Sequence, residues 1–306
     1  MKRVNLKYLA GWLLVCVCCL KLSAQTGEEQ KWRVDVFAGV DLNYRNIHYN
    51  NRLYDLLINL TPGVKLQMKD HWQIALQGIV PVINDYGERY KKVRLNMAVL
   101  SKEMVWGRQF VKLSAGLFGQ ERYGLDMKWM FPINRWLALD GQLGYTGYCS
   151  MAKDWECSRI GRLTGTLGTR MFLENCNTEF RLRGGRFLLE DYGVIGECMR
   201  HFRHCTVGVY AQYSDKGKEN GGFKVVMMIP PYKRKARKVN VRPASNFRLT
   251  YNIQGDPYSM RTYNTDPEEN EREGWFENEK MRWGEASALG PHPRPLSLGE
   301  GGRGAD

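Results

Sequence analysis

The sequence predicts an all-β protein, an antiparallel transmembrane β-barrel of about 12–14 strands, closed or incompletely closed. Three observations carry that expectation. An export-type leader opens the chain, alternation of apolar and polar residues with a period of two runs through most of it, and no stretch approaches about 18 consecutive apolar residues. A chain without a spanning helix can cross a membrane only as a closed arrangement of strands.

The leader comes first. Lys2 and Arg3 give a positive start, Leu9 to Leu20 is apolar or small throughout, and Leu22-Ser23-Ala24 precedes Gln25, the order of a secretory signal peptide over residues 1–24. Lys21 ends the apolar run well short of the roughly 20 residues of a membrane anchor. Cys16 and Cys18 each follow Val and Cys19 follows Cys18, so none has the small preceding residue that lipid attachment needs.

Strand patterning starts directly afterwards, and residues 25–254 form the expected barrel domain. Val34, Val36, Ala38, Val40, Leu42 and Tyr44 alternate with Arg33, Asp35, Phe37, Gly39, Asp41 and Asn43. The same period places Trp72, Ile74, Leu76, Gly78 and Val80 on one face, then Val93, Leu95, Met97 and Val99, then Val111, Leu113, Ala115 and Leu117. A less regular segment lies near Leu56 to Met68. Further strands are expected at Tyr123 to Phe131, Arg135 to Tyr148, Arg159 to Phe172, Thr178 to Arg183, Val194 to Arg200, Thr206 to Tyr213, Phe223 to Ile229 and Phe247 to Ile253. Segments of this length suit a tilted membrane strand. A soluble periplasmic sandwich or half-barrel competes, because a sheet with one wet face alternates in the same way.

Charge divides by region. From Asn264 onward five Lys/Arg face ten Asp/Glu, and four Lys/Arg precede Gln25, so the formal +13 becomes +14 for residues 25–263. A basic exported body points to acidic glycans or lipid phosphates and, given export, away from nucleic acid. Tyr232 to Arg242, with Lys233, Arg234, Lys235, Arg237 and Lys238, reads as a basic loop, either merely solvated or meeting anionic headgroups or glycan. Residues 255–306, acidic from Asp266 to Glu285 and Pro/Gly-rich from Gly290, read as a disordered tail whose end resembles a translated intergenic repeat.

Five cysteines follow the leader, and local bridges Cys149–Cys157 or Cys198–Cys205 suit an oxidising compartment. Cys198, His201, His204 and Cys205 are all capable zinc ligands, but their spacing matches no familiar zinc site, and a hairpin tip is the plainer reading. No Gly-x-Ser-x-Gly elbow or phosphate-cradling loop is present, so neither an enzyme nor a cofactor is expected. Trp72, Trp106, Trp129, Trp136 and Trp155 suit an interfacial girdle or core packing, with sugar stacking as the alternative.

The central patch Leu182-Arg183-Gly184-Gly185-Arg186-Phe187-Leu188-Leu189-Glu190-Asp191-Tyr192-Gly193 resembles the YjbH family of outer-membrane β-proteins tied to exopolysaccharide biosynthesis and export. Ser114 to Gly119 with Tyr123-Gly124-Leu125, Gly221 to Lys224, and Arg242-Pro243 leading into Phe247 to Asn252 extend the resemblance, in order, over more than half of the mature chain. The family's long members carry two barrel-like halves, and this chain is short beside them, so the resemblance implies either a complete pore or a partial or partner-dependent one. The resemblance implies location in the outer membrane, contact with its lipid, and a role as conduit or scaffold beside other export proteins. A barrel without a passage and a surface glycan- or lipid-acting enzyme are the rival readings. Within the patch, Glu179, Arg181 and Arg183 alternate with Phe180 and Leu182, so the charged face should turn inward. Arg181, Arg183, Arg186, Glu190 and Asp191 are the expected lumenal residues. They are either a network that fixes strand register or a set of arginines guiding an acidic polysaccharide.

Overall fold

The structure, a computed structural model, describes residues 32–46, 54–134, 136–151, 155–202, 205–216, 219–228, 239–253 and 262–269. The expected leader, the basic residues Lys233 to Lys238 and the chain from residue 270 lie outside them.

The first strands are β1 (Arg33–Asn46), β2 (Tyr54–Gln67), β3 (Trp72–Asn84), β4 (Arg94–Trp106) and β5 (Gln109–Phe118). Next come β6 (Arg122–Pro132), β7 (Leu137–Ser150), the two-residue β8 (Glu156–Cys157), β9 (Arg162–Leu173) and β10 (Thr178–Arg186). The last are β11 (Tyr192–His201), β12 (Cys205–Ser214), β13 (Asn220–Met228), β14 (Val239–Pro243) and β15 (Asn246–Asn252). Each strand from β2 to β13 except β8 pairs antiparallel with its neighbours, and β8 folds against β7, where Cys149 and Cys157 form a disulfide.

The barrel is closed. β1 pairs antiparallel with β2 along its whole length and parallel with β15 through Asp41 to Tyr44. Thirteen strands, all but β8 and β14, complete the circuit. An up-and-down sheet with an odd number of strands has its first and last strands running the same way, so its closing pair must be parallel. The expected all-β barrel of about 12–14 strands is thus found in its closed form, and the one departure from antiparallel order is the parallel pairing at the closing edge. β14 corrects the basic-loop reading of its segment. It runs parallel to β1 from Val239 to Pro243, and Ala244–Ser245 separate it from β15 within one closing edge. One continuous sheet also rules out the sandwich.

Side-chain direction is inverted relative to a water-soluble core. Val40, Leu60, Leu76, Leu167, Leu182 and Val209 are exposed on the outer surface, while Lys65, Lys112, Lys128, Asp140, Arg170 and Arg181 are buried inside. The alternation read in β1 and β5 survives intact, with the apolar set outside. In β4 it does not. An irregularity between Gln77 and Gly78 of the partner strand shifts the register across Asn96, so Leu95 points out while Met97 and Val99 turn inward. Those two join Phe118, Leu188 and Tyr263 in an apolar cluster within the lumen.

The two rims carry different aromatics. Trp72, Trp106 and Trp136 stand beside the short turns at the rim where β1 begins, whereas Tyr54, Tyr192 and Tyr213 lie at the opposite rim. Trp155 sits apart, on the exposed connection that carries Cys157.

Gly116 and Gly124 face each other across β5 and β6 with φ of 138° and 145°. A Cβ at Gly116 would stand 2.1 Å from the Ala98 carbonyl oxygen. Gly116→Ala will therefore destabilise the barrel by about 1–3 kcal/mol, read as a lowered denaturant midpoint of the refolded protein.

Candidate functional site in the lumen

The interior is organised around a segment expected to be part of the disordered tail. Residues 262–269 instead run through the lumen, with Tyr263, Thr265, Asp266 and Glu268 buried. The Asn264 carbonyl accepts the Gly119 N–H (3.0 Å) at the β5–β6 turn. Tyr263 stacks on Phe118 and donates its hydroxyl proton to Asp126 (2.6 Å).

Beyond Tyr263 the contacts are ionic. Lys65 Nζ and Gln73 Nε2 each donate to Asp266 at 2.9 Å, and Lys112 Nζ lies 3.3 Å from the same carboxylate. Arg242 forks onto Glu268 with contacts of 2.5 and 2.6 Å, and the Ser245 N–H, in the break between β14 and β15, donates to that carboxylate as well. Lys128 holds Glu269 at 2.8 Å, and Arg248 donates to the Glu269 carbonyl. An acidic plug is thus seated on cations supplied by five different strands.

Asp266 and Glu268 lie outside the strands. Burial alone would raise both carboxyls. Lys65 and Lys112 overcome it and hold Asp266 far below the usual carboxylate range, and the Arg242 fork with Lys65 lowers Glu268 in the same sense. Because both values are depressed, their contribution to docking is complete above the ordinary carboxylate pKa and is lost as pH falls through the depressed values. Hydrogen exchange at Thr265, corrected for its intrinsic rate, will show constant protection from neutral pH down to about 4. Release near about 6.5, where histidine titrates, would contradict this assignment.

The expected lumenal residues divide into two groups. Arg181 and Arg183 point inward, as read from the alternation, but acids of the wall itself hold them. Arg181 contacts Glu179 at 2.6 Å, and Arg183 contacts Glu197 at 3.0 Å, a carboxylate also held by Lys224. Arg170 and Asp140 form a further wall pair at 2.6 Å. Arg186 and Glu190 stand at the opposite rim, 3.9 Å apart and about 40% exposed, a geometry worth little energetically. Asp191 is buried in the β10–β11 turn, where its carbonyl accepts the Phe187 N–H. Arg186 thus pairs with Glu190 at the rim, and Asp191 lies buried in the adjoining turn.

The cysteine–histidine patch also separates. His201 turns inward to hydrogen-bond with Glu179 (3.0 Å) and Thr206 (2.9 Å), whereas Cys198 and Cys205 follow the outward face of β11 and β12. Those two cysteines are not bridged, because the register sets Cys198 opposite Val209, away from Cys205.

Sequence reasoning missed Lys65, Lys112, Lys128, Arg242 and Arg248 as a group. A usable signal was present: Lys65, Lys112 and Lys128 each stand between two apolar residues of a strand. Alongside the plug lies a cavity of about 260 Å³, lined among others by Asn43, Asn59, Gln77, Arg183 and Lys224. No protein-family model and no curated protein matches this chain.

Proposed function

We propose that the protein is an outer-membrane β-barrel serving exopolysaccharide or capsule production as a conduit or scaffold. The observation that carries the membrane part is the inverted polarity, apolar outside and ionic inside, bounded by Trp at one rim and Tyr at the other. The export-type leader supports the same compartment, and the resemblance of Leu182 to Gly193 to the YjbH family supports the polysaccharide part. Contact with acidic polysaccharide and with other export proteins belongs to the same reading.

Deleting the gene will reduce surface polysaccharide, and an unchanged glycan coat would end the polysaccharide assignment. Purified protein should insert into lipid vesicles and show heat-dependent mobility on gels. The seated plug favours a second reading, a structural or interaction barrel without a passage. Planar-bilayer recording separates the two: a conduit will open under some condition, whereas a scaffold will stay closed even with residues 262–269 displaced.

A further inference from the structure

The lumenal charges fall into two sets. Arg170, Arg181, Arg183 and Lys224 are matched by Asp140, Glu179 and Glu197, all fixed on the wall. Lys65, Lys128 and Arg242 each make a short ionic contact with residues 262–269, Arg242 also lying 4.0 Å from wall Asp35, and Lys112 divides its contacts between wall Glu103 (3.2 Å) and plug Asp266 (3.3 Å). Four wall cations thus converge on the carboxylates of a segment that is not itself part of the wall, and cations gathered on a separate acidic segment form a track whose occupant can be exchanged for another polyanion.

We propose that residues 262–269 are a built-in stand-in for a polyanion: their three carboxylates occupy a track formed by Lys65, Lys112, Lys128 and Arg242 that takes a carboxylate-bearing polysaccharide when the segment is displaced. This rests on the barrel reading above and shifts the glycan-binding residues away from Arg181, Arg183 and Arg186.

Ligand chemistry follows from what surrounds the track. Lysines and a forked arginine suit carboxylates. Beside them the cavity presents the amides of Asn43, Asn59, Gln77 and Gln142, groups that both donate to and accept from hydroxyls. Asn59 is 4% exposed, and its Oδ1 accepts no hydrogen bond among the described residues. Such a buried acceptor facing a cavity suits a hydroxyl donor. Carboxylates for the cations and hydroxyls for the amides together describe a polymer of acidic sugars.

Displacement can be forced without altering any charge. A Cβ at Gly144 would lie 1.8 Å from the Tyr263 hydroxyl, so Gly144→Val should expel the plug while the track stays intact. The experiment uses the full chain folded in vesicles, with labelled polygalacturonate as probe and neutral dextran as control. Wild type should bind the polyuronate weakly. Gly144→Val and the triple variant Asp266→Asn/Glu268→Gln/Glu269→Gln should each bind it at least about tenfold more tightly, because the competing occupant is gone. Lys65→Gln with Lys128→Gln in the Gly144→Val background should abolish the gain.

Equal binding by wild type and both plug variants, an equal gain for dextran, or a gain that survives loss of the lysines would overturn the proposal. If the triple variant does not fold, Gly144→Val decides. As a further measure in the otherwise native chain, Thr265→Cys should react with a thiol reagent faster when polygalacturonate is added, and an unchanged rate would count against displacement. Insertion, read separately by the gel shift, reports on the membrane reading, so failure of either idea is visible by itself.

Discussion

Asp266→Ala will loosen the plug by up to about 3–5 kcal/mol, the cost of removing one partner from a buried ion pair, with Glu268 at 3.6 Å from Lys65 and Glu103 at 3.2 Å from Lys112 offsetting part of it. Lys65 and Asp266 are 2% and 3% exposed, so solvent screening gives little relief while the segment remains seated. Lys112 and Gln73 lose the same carboxylate, and the Glu268 N–H loses its acceptor. The cheapest response is for the segment to leave and for water to enter, so the effect should appear in plug exposure more than in barrel unfolding. Hydrogen exchange across residues 262–269 will rise at neutral pH while strand amides stay protected. Glu190→Ala is the control, since its contacts to Arg162 and Arg186 are 3.8 and 3.9 Å long and partly exposed, and its effect should stay below about 1 kcal/mol. If the two substitutions expose the plug equally, the ionic account of its seating is wrong.

What was legible in the sequence follows from how local each determinant is. Alternation in β1, β5 and β10 could be read residue by residue, because which face a side chain takes depends only on its parity along the strand. That reading placed Arg181 and Arg183 inward. It failed at Met97 and Val99 because parity is lost wherever a register irregularity adds a residue, and the one beside Gln77 has no marker in β4. Closure was illegible for a different reason. The parallel pairing of β1 with β14 and β15 joins segments about 200 residues apart, and Val239 to Pro243 reads locally as the end of a basic loop.

The plug was hidden by composition. Asp266, Glu268 and Glu269 resemble the acidic residues after them, and nothing in Tyr263 to Glu269 has a period. Their meaning depends on Lys65, Lys112, Lys128 and Arg242, which are far away in sequence and reach the lumen only once the sheet has closed. The isolated lysines were the better clue. A lone lysine between apolar neighbours of a strand must find either solvent or an anion on its own face, and the number of such positions pointed to an occupied interior.

Leu167→Arg will cost about 2–4 kcal/mol of folding stability in lipid vesicles, because Leu167 lies in the middle of β9 and faces outward at 71% exposure. The residues paired with it on the two neighbouring strands are Gly141 and Gly184, neither of which carries a side chain to shield the new charge. Leu189→Arg provides the depth control. That residue is 56% exposed on the β10–β11 turn at the rim, where an arginine reaches headgroups and water and should cost at most about 1 kcal/mol. A barrel surrounded by water would tolerate both changes to within about 0.5 kcal/mol, as exposed surface positions generally do. Reversible denaturant titration of the two variants in vesicles therefore tests the medium against the outer face directly. A penalty at position 167 without one at position 189 requires a low-dielectric layer around the middle of the barrel, and equal, small effects would place the exposed leucines and valines in water, where their number would have to be explained by a protein partner instead.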